Sequence, residues 1–356
     1  MEAVPKDSCA LHAPRMTAPL QPKPRLTPDR FSWASTDTKV NSSNVGAYVS
    51  MLGDVQHKAY MQRHWYLHHT LAPFLVWWLS QLQHSMGIFG AVGEIGVQYG
   101  GFFLAIATSS AMGEQPYAID IFDRQRLNVD GSGRGAWKQF SINVEALSFK
   151  PVLLRSSKLD GAAAYEPTDA SAGGRRRRTI VAIRSLSTEL TSSTLGRLLP
   201  QPTRLISVDG GHSRASTCHD LNLAAAHLHE GGIVILDDVG CCEKEHTWGL
   251  GVIDGLAAFY AGSGRDALVP FFYFFPKLYL ATPKYARRYR LAMQSDPLLN
   301  VTLRFDLGNA ELGDRGPIQM HSSRFTLFGG EVLRAGTRPA EVHVRDAWLK
   351  LLGRTR

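Results

Sequence analysis

Apolar positions along this chain follow two alternating rhythms. Short β-type runs fall at 91–97, 117–121, 179–184, 204–208 and 232–236. Between them, 99–110, 136–147, 188–199, 213–230 and 247–261 carry helical spacing. Short buried strands alternating with helices predict a parallel, doubly wound α/β sheet. Two later β runs, 267–275 and 277–281, have almost no linker and must pair antiparallel. An apolar helical stretch over 58–86, with Trp65, Leu67, Leu71, Phe74, Trp77, Trp78 and Leu82, reads as a cover over that core.

The pattern divides the chain into a Pro/Ser/Thr-rich tail at 1–45, a helical region at 46–87, a core domain at 88–285 and a C-terminal extension at 286–356. Within the core, 155–178 holds glycines, alanines and four arginines, and reads as a flexible insertion. At 356 residues and 44% hydrophobic, the chain can bury a full core. The net charge of +8 sits largely in two runs, Arg175 to Arg178 and Lys284 to Arg290, so no general nucleic-acid surface is expected. Each run reads first as a solvated face. Four cysteines, at 9, 218, 241 and 242, make no disulfide framework and suit a reducing compartment. The N-terminus lacks the apolar core of a secretory signal, and no stretch reaches the roughly 18 apolar residues of a membrane span. A cytoplasmic chain is therefore expected. Organelle targeting by the tail is compatible with it, and so is self-association.

Chemistry concentrates at the strand ends. The first run closes as Gly93-Glu94-Ile95-Gly96-Val97-Gln98-Tyr99-Gly100-Gly101, a glycine turn between strand and helix. It lacks the G-x-G-x-x-G of a pyrophosphate cradle. An acid inside the turn repels phosphate and suits a ligand with a cationic amino-acid group. The second run ends in Asp120, placed to accept the hydroxyls of a ribose. Taken separately, Asp120 can simply cap a turn and the glycines can simply make a tight one.

The fourth run leads into Asp209-Gly-Gly-His212, and the fifth ends in Asp237-Asp238. Parallel strands about 4.8 Å apart bring their carboxyl ends to one rim. Three carboxylates that close together repel one another unless a cation compensates, and oxygen donors favour Mg²⁺ or Ca²⁺. A histidine beside them can take a proton near neutral pH. The plainer account makes these acids loop caps and His212 a neighbour of a helix start. His64 and His68 lack an accompanying acid and read as packing or surface residues; Cys241, Cys242 and His246 read as loop residues.

Glu94-x-Gly96-x-x-x-Gly100, Asp120, the run Gln125 to Gly135, Asp209-x-x-His212 and Asp237-Asp238 resemble the class I S-adenosylmethionine (SAM)-dependent methyltransferases, especially small-molecule O-methyltransferases such as those acting on macrolide sugars. The resemblance covers about 88–285. It implies a Rossmann-like, seven-stranded, mostly parallel sheet whose last strand is antiparallel. It also implies that Glu94, Gly96, Tyr99 and Gly100 line the methionine and ribose part of SAM, that Asp120 binds the ribose hydroxyls, and that Ser187 sits at the cofactor rim. By the same resemblance Asp209, Asp237 and Asp238 hold Mg²⁺, His212 is the general base, and the partner is a hydroxylated small molecule. A SAM-binding protein without catalysis shares every cofactor residue. A metal-dependent nucleotide-sugar transferase shares only the acid pair.

Overall fold

The computed structural model describes residues 71–128, 130–131, 133–155, 178–199, 201–241, 248–274, 276–296, 299 and 324–335. In chain order these form α1 (Leu71–Ser85), β1 (Ala91–Ile95), α2 (Gly101–Thr108), β2 (Pro116–Asp120), α3 (Trp137–Ala146), β3 (Lys150–Arg155), β4 (Thr179–Arg184), α4 (Ser192–Leu198) and β5 (Thr203–Val208). Then come α5 (Arg214–Ala226), β6 (Leu228–Leu236), α6 (Trp248–Ala261), the single turn α7 (Gly264–Ala267), β7 (Val269–Phe274), β8 (Lys277–Ala281), α8 (Pro283–Ser295), β9 (Arg324–Leu327) and β10 (Gly330–Ala335).

The sheet order is β3-β4-β2-β1-β5-β6-β8-β7-β10-β9. The alternation of strands and helices thus yields the expected doubly wound α/β sheet. The pairs from β3 through β6 are parallel, and β8 runs antiparallel to both β6 and β7. Among the described residues the sheet has ten strands, which corrects the expected seven. β3 escapes a sequence reading because Pro151 breaks its pattern; as an edge strand it needs only one ladder, which tolerates the missing donor. β9 and β10 form a hairpin whose two turn residues, Phe328 and Gly329, both have positive φ, and β10 then pairs parallel with β7. The C-terminal extension therefore completes the same sheet.

Helices cover both faces. Leu195, Leu221, Val252 and Leu256 of α4, α5 and α6 pack on Ile95, Ile206 and Val234. On the other face Phe74, Leu75 and Leu79 of α1, with Tyr289 and Met293 of α8, meet Val92, Leu205 and Ile235. Phe103 of α2 and Phe140 and Val144 of α3 cover Ala118 and Ala182. The helical cover is thus present over 71–85, while 58–70, with Trp65, His64 and His68, lies outside the described residues. The stretch expected as a helix to Glu230 ends at Ala226, and Gly231 and Gly232 lie inside β6 rather than capping a helix. Gly231 is needed for packing, because a Cβ there would collide with Ile88.

Arg204 fixes α1 to the sheet. Its guanidinium, fully buried, donates to both carboxylate oxygens of Glu114 (2.6 and 2.8 Å), to Ser80 Oγ (3.0 Å), to Gln83 Oε1 (2.8 Å) and to the Ser109 carbonyl (3.2 Å). Five donors with five acceptors leave no charge uncompensated. Burial alone would raise the Glu114 pKa, but Arg204 and His84 outweigh it and hold it at about 2. A folded-state value below the unfolded 4.5 means the pair stabilises fully above pH 4.5 and loses that contribution as pH falls toward about 2. Glu114→Gln strands a buried guanidinium and should cost about 3–5 kcal/mol in urea unfolding at pH 7. A cost below about 1 kcal/mol would contradict this reading of the network.

Candidate functional site

β1 lies between β2 and β5, so the chain winds away from it in both directions and a crevice opens at the strands' carboxyl ends. The backbone binds the two flanking turns together there. Asp209 N–H donates to the Ile95 carbonyl (2.8 Å) and Gly96 N–H to the Ile119 carbonyl (2.8 Å). Gly96 has φ +84, and a Cβ on it would collide with the Asp209 carbonyl oxygen. Only glycine fits at that crossing. Gly100, also at positive φ, starts α2, and the carbonyl of half-exposed Tyr99 accepts from Asn143 Nδ2 (2.8 Å).

Asp120 accepts the backbone N–H of Gln98 (2.9 Å) and that of Phe122. It therefore ties the glycine turn to the end of β2, as a turn cap does. Ser187 follows β4 in a short 3₁₀ turn, and its carbonyl faces the His219 ring of α5 (3.1 Å). It stands over α5, and no described contact joins it to the glycine turn.

Register delivers the acids to one edge, as the strand order predicts. Glu94 of β1 is level with Ser207 of β5, one residue short of Val208, and Val208 is level with Leu236 of β6. Asp209 and Asp237 follow directly. The ligand atoms of Asp209, His212 and Asp238 lie within 4.8 Å of one another, the one such group of potential metal donors among the described residues. A small recess opens beside them, lined by Asp209, Gly210, His212, Thr217, Asp237 and Val252 among others. The consecutive acids diverge because Asp238 has φ +56, a left-handed conformation that aspartate tolerates. Asp238 Oδ2 faces His212 Nε2 at 3.0 Å, whereas Asp237 pairs with the ammonium of Lys277.

Two groups at this edge carry no role in the sequence reading. Lys277 opens β8 and stands across from Asp237, because Leu278 is paired with Leu236. Its side chain is 9% exposed and its Nζ lies 4.1 Å from the centre of the Phe102 ring. The antiparallel pairing of β8 was legible, and a lysine at the start of that strand was the available signal. Asp130 lies in the run Gln125 to Gly135. One of its oxygens accepts the His212 backbone N–H (2.8 Å) and faces the ring Nδ1 (3.0 Å).

The electrostatics follow from burial and from these pairs. Burial pushes Glu94, 1% exposed, up to about 8, although Lys277 opposes it. Asp209 is raised well above the carboxylate range by burial and by Asp237 and Asp238. Burial works to lower His212, but Asp130 and Asp238 outweigh it and hold the ring at about 10, an imidazolium at neutral pH. Lys277 is likewise pulled down by burial and raised on balance by Asp237 and Asp209.

Other expectations resolve locally. Lys284, exposed, pairs with Glu230, and Arg287 and Arg288 are exposed, as a solvated helix face requires. Arg290 instead turns inward to Glu331 of β10 (2.8 Å). Cys218 and Cys241 are both disulfide-bonded, which corrects the expectation of reduced thiols. Cys242 and His246 lie outside the described residues. Among the described residues no helix is long and apolar enough to cross a membrane.

A doubly wound sheet with a glycine turn at its switch point, and acids following neighbouring strand ends, is the arrangement at which the resemblance in sequence pointed. Residues 94–239 match the family model described as a methyltransferase domain. Solved structures similar to it include the calicheamicin methyltransferase CalS11, at 15% identity over 69% of this chain and 94% of that one, with a TM-score of 0.40. The O-methyltransferase NovP is similar at 14% identity over 67% and 99%, with a TM-score of 0.43. The O-methyltransferase TomG from Streptomyces achromogenes, involved in tomaymycin synthesis and solved with SAM, is similar at 12% identity over 67% and 96%, with a TM-score of 0.40. A comparison with curated proteins returns no match.

Glu94 gives this site a measurable pH signature. An acid raised from 4.5 to about 8 by folding imposes a cost that is absent below pH 4.5, grows between the two values and is complete above about 8. Glu94→Gln should therefore raise the melting temperature of the free chain at pH 8 and flatten its pH dependence between 4.5 and 8. An unchanged slope in thermal melts would contradict the assignment.

Proposed function

We propose that this chain transfers a methyl group from SAM to a hydroxyl of a small molecule, a sugar, polyol or phenol, at the edge shared by β5 and β6. The observation that carries the reading is the meeting of Asp209, His212 and Asp238 within 4.8 Å, next to the glycine turn. Glu94, Gly96, Tyr99 and Gly100 would hold the methionine and ribose part of SAM. Glu94 suits a cationic amino group, because its Oε1 is buried with no hydrogen-bond partner among the described residues and such a group would satisfy it. Asp120 would accept the ribose hydroxyls with the lone pairs that its two backbone contacts leave. Ser187 would stand at the rim. SAM supplies the activated methyl group.

Asp209, Asp237 and Asp238 would hold Mg²⁺, Asp237 only once released from Lys277, and their oxygen donors fit a hard cation. A divalent ion held there would supply Lewis acidity to an acceptor oxygen and would offset the Asp238 charge that, with Asp130, keeps His212 protonated. Asp130 orients the imidazole through Nδ1, so Nε2 faces the acid edge. With its ring neutral, His212 takes the proton of the acceptor hydroxyl at Nε2. Bringing the two reactants side by side at this edge would itself be worth roughly 7–11 kcal/mol when the alignment is good.

The test is release of S-adenosylhomocysteine from hydroxylated acceptors, with and without Mg²⁺. Activity should fall on chelation, and His212→Ala should lower the rate about 10²–10⁴-fold while calorimetry shows S-adenosylhomocysteine still binding. Full activity in His212→Ala, or after chelation, would overturn the role of the base or of the metal respectively.

A further inference from the structure

The acidic edge already contains a cation. Glu94, Asp209 and Asp237 all act on the ammonium of Lys277, and Asp237 is its direct ion-pair partner. Lys277 is held from two sides. Its place at the start of β8 is set by the antiparallel pairing with β6, and its ammonium lies on the face of Phe102, the second residue of α2. Asp237 is correspondingly absent from the set of acids and imidazole that converge within 4.8 Å. A divalent ion that uses Asp237 must take that carboxylate from the lysine.

We infer that Lys277 is a resident counter-cation that competes with a divalent ion for Asp237, so that the Lys277–Asp237 pair and a metal bound to Asp237 exclude each other. The inference rests on reading this edge as a metal centre. Two unit charges of like sign a few ångströms apart repel by several kcal/mol at the effective dielectric of a protein edge, so the ammonium weakens metal binding. Removal of the charge leaves Glu94, Asp209 and Asp237 without their common partner, and the vacancy favours a divalent ion. Lys277 is in this sense a positioning residue: it holds Asp237 in place when no metal is bound.

The experiment measures Mn²⁺ binding to the full chain by calorimetry for the unmodified protein, Lys277→Met and Lys277→Arg. Methionine keeps the apolar stem against Phe102 and removes the charge, while arginine keeps the charge. Lys277→Met should bind Mn²⁺ at least about tenfold more tightly than the unmodified chain, and Lys277→Arg should stay within about threefold of it. Mn²⁺ should also raise the melting temperature of Lys277→Met more than that of the unmodified chain. Unchanged or weaker Mn²⁺ binding by a folded Lys277→Met overturns the inference. A second readout needs no variant: with ¹⁵N-labelled lysine, the Lys277 ammonium resonance should shift as Mg²⁺ is added, and a resonance that stays in place at saturating Mg²⁺ overturns it. Binding of S-adenosylhomocysteine, measured alongside, separates the two readings. If it binds and none of the three chains takes Mn²⁺, the methyltransferase stands and the Lys277 inference falls.

Discussion

The site is governed by the repulsion among four carboxylates that strand register brings to one edge. Glu94 is the penultimate residue of β1, Asp209 follows β5, and Asp237 and Asp238 follow β6. Burial sharpens the conflict for Glu94, and the neighbouring carboxylates add to desolvation at half-buried Asp209, so both are driven toward the neutral acid. The protein answers with two cations of its own. Lys277 takes Asp237, and His212 takes Asp238. The left-handed turn at Asp238 lets two adjacent acids serve two different partners. The proton on His212 and the state of Glu94 are both set by how this charge is shared.

The rest of the fold holds that edge together. The Arg204–Glu114 network clamps α1 to the far end of the same strands, so β5 is fixed at its amino end by buried charge and at its carboxyl end by the backbone bond from Asp209 to Ile95. Gly96 permits the close crossing of the β1 and β5 turns. A side chain there would separate Glu94 from Asp209. Stability and function thus depend on the same pair of strands.

Much of this was legible in the sequence. Strand–helix alternation is a local signal, and it placed β1, β2, β4, β5, β6, β7 and β8 within one or two residues, apart from the early start of β6. The meeting of Asp209, His212 and Asp238 at one edge, with Asp237 beside them on Lys277, follows from parallel topology. Four features were not legible, each for a physical reason. β3 carries a proline that only an edge strand tolerates. β9 and β10 lie after a long stretch without pattern, and a hairpin shows little of which strand it will join. Lys277 reads as the polar start of a strand, and its burial depends on the opposed Asp237. The Gly231–Gly232 pair resembles a helix stop because sequence does not distinguish a glycine needed for turning from one needed for close packing against Ile88.

The central claim is that the acids beyond β5 and β6 form one cation-binding centre beside the glycine turn. It is tested most directly by diffraction at the manganese absorption edge from crystals grown with Mn²⁺ and S-adenosylhomocysteine. The account predicts one strong anomalous peak in contact with Asp209 and Asp238, with S-adenosylhomocysteine lying along Glu94 to Gly100. Bound S-adenosylhomocysteine with no manganese at that edge, or manganese held elsewhere on the chain, would contradict it.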